Sequence, residues 1–314
     1  MDILKIVREY KSIAISAHIS PDGDAIGSCI SLTLYLRKVY PEKDIRLFLE
    51  PIPDCFKTIE GSEIVDSSFS GLNPEVYFLL DATPERLAGG KKLWENAKVR
   101  VNIDHHISNA DGSGDINLVV PTASSTAELI FNLIDEKLID KKIASWIYIG
   151  IIHDTGMLKY AATSPETLRI CARLMEENID TQYIVDTTFY EKTYSQNVAC
   201  ARIVLSSRLL FDGKVIIGQI TAKEMKEYGI EKKDLDGVIN QLRITTGVEV
   251  AIFMYPMNAD TVKVSMRSKE KVDVSKICQT FGGGGHIRAS GFYTKGQMEH
   301  VEKKILDLLA LEEF

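Results

Sequence analysis

The first half of this 314-residue chain repeats one arrangement, an apolar run that ends on a carboxylate or a histidine. Ser12–Ala17 leads into His18, Asp22 and Asp24, Val76–Leu80 into Asp81, and Val99–Ile103 into Asp104-His105-His106. Short runs rich in β-branched and aromatic residues, alternating with helical patterns, predict a parallel sheet wrapped by helices. The carboxyl ends of such strands share one edge, which is where open α/β sheets bind ligands. Groups far apart in sequence are therefore expected to meet.

Other signals in this half predict a helix over Ala25–Val39 and a strand at Asp44–Leu49. Ser125-Thr126-Ala127-Glu128 has capping-box spacing and should open a helix running to Lys137. Lys141–Ile152 reads as a buried helix, and Ser164-Pro165-Glu166 opens another that reaches Asn178. Beyond Tyr190 the pattern changes. A connecting helix is expected over Ser195–Leu210, then strands at Val215–Thr221, Val248–Tyr255, Thr261–Met266 and Ser290–Tyr293. Helices are expected over Asp234–Thr245 and from Gln297 onward. The expected fold class is α/β: an N-terminal parallel-sheet domain (1–190), a helical linker (191–212), and a smaller α/β C-terminal domain (213–314).

Composition narrows the function classes. The chain has 37 basic and 44 acidic residues, net −7, which argues against a long duplex nucleic acid, because neutralising phosphates needs a basic surface. One stretch departs from this balance: Thr261–Arg288 holds Lys263, Arg267, Lys269, Lys271, Lys276 and Arg288 against Glu270 and Asp273. A local positive patch suits a small anion or a short oligonucleotide. No apolar run reaches the roughly 18 residues that cross a membrane, and the first residues lack a secretory-signal pattern. Five scattered cysteines without C-x-x-C spacing are expected to be reduced thiols of a cytoplasmic protein.

Read singly, most of the polar segments have an ordinary meaning. His18-Ile19-Ser20-Pro21-Asp22-Gly23-Asp24 could be a polar turn capping a helix, and Asp81 a strand-end turn residue. Asp104-His105-His106 is more specific, since adjacent imidazoles at a strand end have little structural use and would be costly to bury unpartnered. Asp154, after the apolar segment Trp146–Ile152, needs a partner for its carboxylate, while His153 reads as a packing residue. Taken together these oxygen and imidazole groups suit Mn²⁺ or Mg²⁺, and they are numerous enough for two ions. The run Gly282-Gly283-Gly284-Gly285-His286 belongs where backbone approaches something closely, and its amides could form an anion nest. His286 and Arg288 would add charge there, and Arg267-Ser268 could supply a guanidinium fork and a hydroxyl donor.

The set of motifs resembles the DHH family of phosphoesterases, over Ala17–Ser28, Leu80–Asp81, Asn102–Asn109 and Gly150–Gly156. The segments Val264–Ser268 and Gly282–Phe292 resemble the associated C-terminal domain with its GGGGH loop. Within the family the chain is similar to the NrnA-type branch, which implies hydrolysis of RNAs of ~2–5 nucleotides. It also implies 3′-dephosphorylation of 3′-phosphoadenosine 5′-phosphate. The resemblance assigns one Mn²⁺ to His18, Asp22 and Asp81 and a second to Asp24, Asp81, His105 and Asp154, with Asp81 bridging. His106 would contact the scissile phosphate, with Asp104 orienting a histidine. Arg267, Ser268, Arg288 and the Gly282–His286 loop would hold the nonreacting end of the substrate, and a homodimer is compatible with the chain.

Four rival readings stand against this, of which a RecJ-like exonuclease for long single strands is disfavoured by the acidic balance. A cyclic or linear dinucleotide phosphodiesterase would use the same chemistry. An inorganic pyrophosphatase would want a more basic second domain than one with fifteen basic and fourteen acidic residues. A nucleotide-sensing module with a degenerate metal site would lack ligands, whereas every expected position is filled here.

Overall fold

The computed structural model describes residues 1–87 and 89–314. The chain divides into two units, Met1–Glu191 and Lys192–Phe314. Each has its own sheet and core.

The first unit is built on six parallel strands: β1 (Ser12–Ser16), β2 (Asp44–Phe48), β3 (Val65–Asp66), β4 (Val76–Leu80), β5 (Val99–Asp104) and β6 (Ile116–Val119). Their order is β3-β2-β1-β4-β5-β6, so chain direction across the sheet reverses between β1 and β4. Such a switch point is where doubly wound sheets open a crevice at their carboxyl edge. All five residues of β4 are buried, as a continuous apolar run covered by helices on both faces should be. β6, absent from the sequence expectation, is a half-exposed edge strand of four residues, too short to stand out as a pattern.

Helix starts follow their caps. Asp22 accepts from Asp24 and Ala25 at the head of Gly23–Val39, Ser125 from Glu128 at Thr126–Leu133, and Asp140 from Lys142 and Ile143 at Lys141–Asp154. The helix expected to reach Lys137 stops at Leu133, because Asp135 turns its carboxylate onto the Lys137 amide and starts a separate 3₁₀ turn. The Gly23–Val39 and Lys141–Asp154 helices meet backbone to backbone. A Cβ on Gly27 would lie 2.4 Å from the Trp146 carbonyl, and one on Gly150 only 3.0 Å from Asp24 Oδ1. Two glycines thus let the helices that carry Asp24 and Asp154 come together.

The second unit holds a mixed sheet of β7 (Arg208–Leu210), β8 (Val215–Gln219), β9 (Val250–Pro256), β10 (Thr261–Ser268), β11 (Gly284–His286) and β12 (Ala289–Lys295). The order is β11-β12-β10-β9-β8-β7, antiparallel except for the β8–β9 pair. The Tyr194–Ser206 helix, expected as a connector, belongs to this unit and buries Ala199 and Ile203 against Ile216, Ala251 and Phe253. On the opposite face Val264, Met266 and Ile252 pack with Ile277, Val301 and Ile305. The helix expected over Asp234–Thr245 is confined to Val238–Arg243, since Gly237 takes a left-handed φ of 81° and breaks it. No helix among the described residues is long and apolar enough to cross a membrane.

Candidate metal centre

The switch point of the first sheet gathers the strand-end residues. His18 follows β1, Asp81 follows β4, and Asp104 closes β5 before His105 and His106. Asp24 arrives on the first turn of Gly23–Val39, and Asp154 ends Lys141–Asp154. Asp81 is held at φ 54°, a left-handed conformation uncommon outside glycine, which fits a backbone shaped for a task beyond folding.

Asp81 sits between two ligand sets. Its Oδ2 lies 3.6 Å from His18 Nε2, which is itself 3.7 Å from Asp22 Oδ2. Its Oδ1 lies 3.6 Å from His105 Nε2 and 3.4 Å from His106 Nδ1. His105 Nε2 also stands 3.2 Å from Asp154 Oδ2 and 3.9 Å from Asp24 Oδ2. Most of these separations exceed a good hydrogen bond. They suit donors facing a common cation, because ligands about 2.1 Å from one ion lie roughly 3.0–3.5 Å from each other. Three groups, His18–Asp22–Asp81, Asp24–His105–Asp154 and Asp81–His105–His106, each present their ligand atoms within 4.8 Å of one another. His105 Nε2 is buried without a hydrogen-bond partner. The donor set fits a pair of divalent cations.

A supporting layer fixes these side chains. His18 Nδ1 is 2.8 Å from the Ile19 carbonyl, which leaves Nε2 as the ligand atom. Asp104 does not reach the ligand cluster: its Oδ1 accepts from the His105 and His106 amides and lies 2.8 Å from His106 Nδ1, while Asn109 donates to Oδ2. Asn109 also donates to Asn102, which donates to the Leu79 and Ala82 carbonyls on either side of Asp81. With Nδ1 so engaged, His106 keeps its other nitrogen for a substrate, and its side chain is 39% exposed. His153 is a packing residue, its ring 5.1 Å from Phe56 and 4.1 Å from Phe189.

Sequence reasoning missed Thr126. The amides of Thr126 and Ala127 donate to the two oxygens of Asp24 at 2.7 and 2.8 Å, and Thr126 Oγ1 donates to Asp81 Oδ1 at 3.0 Å. The first turn of one helix thereby orients two carboxylates that would otherwise repel each other. The capping-box spacing located this helix start without showing what its free amides face. Thr126→Val keeps the volume and removes the hydroxyl, and it is expected to weaken metal affinity about 10–100-fold. Metal titration of the purified variant measures this.

Electrostatics reflect the crowding. Burial pushes the Asp24 carboxyl well above its ordinary range, reinforced by the charges of Asp81, Asp154 and Asp22. Burial likewise lifts Asp154 to about 6, with Asp81 and Asp22 adding to it against the pull of His105. Burial alone would depress His18, yet Asp22, Asp81 and the Ile19 carbonyl raise it to about 10. The proton on His18 adds stability to the ion-free chain below pH 6.5, and that contribution is lost as pH rises through about 10. A cation needs the same nitrogen lone pair, so metal binding at pH 7.5 is expected to release protons. Calorimetric titrations in buffers of different ionisation enthalpy check this; a buffer-independent binding enthalpy would contradict the assignment of His18.

The sequence signature described as "DHH family, N-terminal domain" matches residues 12–151, and that of the DHHA1 domain matches residues 212–311. A Thermus thermophilus protein named bifunctional oligoribonuclease and PAP phosphatase NrnA is 30% identical over 99% of this chain and 92% of its own length. The chain belongs to the DHH family. A Bacillus subtilis protein of the same name is 25% identical, covering 92% of this chain and 91% of its own. A crystal structure of an exopolyphosphatase-related protein from Bacteroides fragilis superposes with a TM-score of 0.88 at 26% identity, over 98% of this chain and 94% of that one.

In the DHHA1 unit, the expected binding residues do not form one cluster. Alternation along β10 sends Ser268 into the core, fully buried with an unpartnered hydroxyl, while Arg267 lies on the opposite face. Arg288 is spent on the framework, donating to the Val272 and Glu270 carbonyls. Lys269 donates to the Thr245 carbonyl. The loop at Glu270–Val272 does form a nest of three amides, but the Glu249 carboxylate fills it. The glycine run is not an open loop either. The Gly282 and Gly283 amides close the Val274–Gln279 helix on Gln279 and Cys278, and Gly284–His286 pairs with β12 as an edge strand. A Cβ on Gly283 would lie 2.4 Å from the Gly291 carbonyl oxygen, so close packing accounts for glycine there.

Proposed function

We propose that this protein is a Mn²⁺-dependent phosphoesterase that degrades short oligoribonucleotides to mononucleotides and removes the 3′-phosphate of 3′-phosphoadenosine 5′-phosphate. The observation that carries the reading is Asp81, whose two oxygens face two separate ligand groups in a chain 30% identical, end to end, to a protein named for both activities. His18, Asp22 and Asp81 would hold one ion, and Asp24, Asp81, His105 and Asp154 the other. When bound, the ions supply an acidified water and Lewis acidity toward the phosphoryl oxygens.

The chain's own residues do the rest. Thr126 and the Thr126–Ala127 amides hold Asp81 and Asp24 in place before substrate arrives. Asp104 raises the proton affinity of His106 through their 2.8 Å contact. His106 thus donates a hydrogen bond to a phosphoryl oxygen and can deliver a proton to the leaving oxygen.

A parallel Mn²⁺-dependent assay tests the reading, using a short 5′-labelled RNA, 3′-phosphoadenosine 5′-phosphate, cyclic di-AMP and pyrophosphate. Mononucleotides from the first and AMP from the second are expected. Turnover of cyclic di-AMP or pyrophosphate alone would keep the chemistry and overturn the substrate assignment.

A further inference from the structure

Glu128 carries a buried carboxyl group, 7% exposed, with no part in the proposed chemistry. It follows Ser125, the cap of the Thr126–Leu133 helix, and its amide donates to the Ser125 hydroxyl. A glutamate at this position of a helix ordinarily turns back to the amide of the capping residue. This one turns its Oε2 to two hydroxyls instead. Ser124 Oγ donates to it at 2.5 Å and Thr167 Oγ1 at 2.7 Å. Taking a carboxyl group out of water is costly, and the Ser125 cap, which uses only the amide of Glu128, does not need it.

The two hydroxyls lead to different places. Thr167 belongs to another helix start, where it exchanges hydrogen bonds with Ser164 in the capping box of Pro165–Met175. Ser124 lies inside the segment that faces the metal centre. The Ala123 carbonyl, one residue before it, is 3.3 Å from His105 Nδ1, which leaves Nε2 for the cation sites. Just after it, the Thr126 and Ala127 amides donate to Asp24 and the Thr126 hydroxyl donates to Asp81. The segment Ala123–Ala127 thus orients His105, Asp24 and Asp81, mostly through backbone groups.

Backbone contacts are only as firm as the backbone itself. The segment starts in a turn, with the Ala123 amide on the Val120 carbonyl. Its far end is wedged against the Lys141–Asp154 helix, where a Cβ on Gly150 would lie 2.4 Å from that of Ala127. Between these points Ser124 is tethered to Glu128, both side chains buried. Ligand geometry tolerates displacements of only about 0.5 Å, so loss of this tether is felt at the ions.

We propose that Glu128 is a positioning residue for the metal centre: held by Thr167, its carboxyl group fixes Ser124 and with it the segment that aims His105, Asp24 and Asp81 at the cations. Glu128 touches neither an ion nor the substrate. This role deepens the phosphoesterase reading and rests on it for the reaction performed at the centre, while its effect on metal affinity is separate from that reaction.

The test is calorimetric titration of the full-length protein with Mn²⁺, without substrate, at a temperature where each variant is fully folded. Glu128→Ala is expected to weaken Mn²⁺ binding about 10–100-fold. Glu128→Gln keeps an acceptor oxygen for both hydroxyls and is expected to restore affinity to within about threefold of wild type. Ser124→Ala cuts the tether by a smaller change, which keeps the test decisive if Glu128→Ala does not fold, and is expected to weaken binding about tenfold. The double variant should match Glu128→Ala alone, because the two side chains act as one unit. A group that merely stabilises the helix would lower Tm and leave Mn²⁺ affinity unchanged. Wild-type affinity in Ser124→Ala, or additive losses in the double variant, would overturn the assignment. If Mn²⁺ binding depends on Glu128 in this way and no phosphoester is hydrolysed, the proposed activity falls and the role of Glu128 stands.

Discussion

Asp81→Asn is expected to lower kcat/KM at least ~10³-fold, about 4 kcal/mol of transition-state stabilisation, for every phosphoester the protein accepts. The side chain keeps its shape, and asparagine tolerates the left-handed φ of 54° at this position. What changes is the charge that both ligand groups share. The same substitution should leave the ion-free fold as stable as the wild type or more so. Of the charges around the buried Asp24 carboxyl, Asp81 raises it most, and removing it relieves that repulsion. Assay and thermal melt together decide the matter: loss of activity with a lowered melting temperature would make Asp81 a structural residue.

The second large effect is on the fold. Gly27→Leu is expected to destabilise the first unit by about 3 kcal/mol, a fall of roughly 6–12 °C in its Tm. Any side chain there meets the Trp146 carbonyl and the Gly150 amide, which are backbone of the facing helix. The better helix propensity of leucine returns at most ~1 kcal/mol. Because the two helices carry Asp24 and Asp154, metal affinity should fall with stability. Calorimetric unfolding with and without metal measures both, and an unchanged Tm would show that the helices can separate at no cost.

Much of the first unit was legible because its function sits where its fold is most regular. Three strands, β1, β4 and β5, lead into residues that matter, so the apolar runs located His18, Asp81 and Asp104 together with the sheet. Less legible were groups that act through the backbone. The Thr126 and Ala127 amides that grip Asp24 have no side-chain signature, and the Asn102–Asn109 bridge spans two ordinary polar residues.

The second unit was read less completely for a different reason. Adjacency in sequence joined Arg267 to Ser268, whereas the period of two in a strand puts neighbours on opposite faces. Val262, Val264 and Met266 already carried that alternation. The basic cluster also overstated the charge available to a ligand. Lys269 and Arg288 are consumed by carbonyls, while Arg243, far from the cluster in sequence, lies on the helix packed beside Arg267. Tertiary packing decides which cations remain free.

One carboxylate, Asp81, is expected to join two cation sites at the carboxyl edge of the first sheet. Anomalous diffraction at the manganese edge, from crystals grown with Mn²⁺, tests it most directly. The expected result is two peaks, one among His18, Asp22 and Asp81 and one among Asp24, Asp81, His105 and Asp154, with Asp81 touching both. A single peak, or two peaks that leave Asp81 uncoordinated, would contradict it.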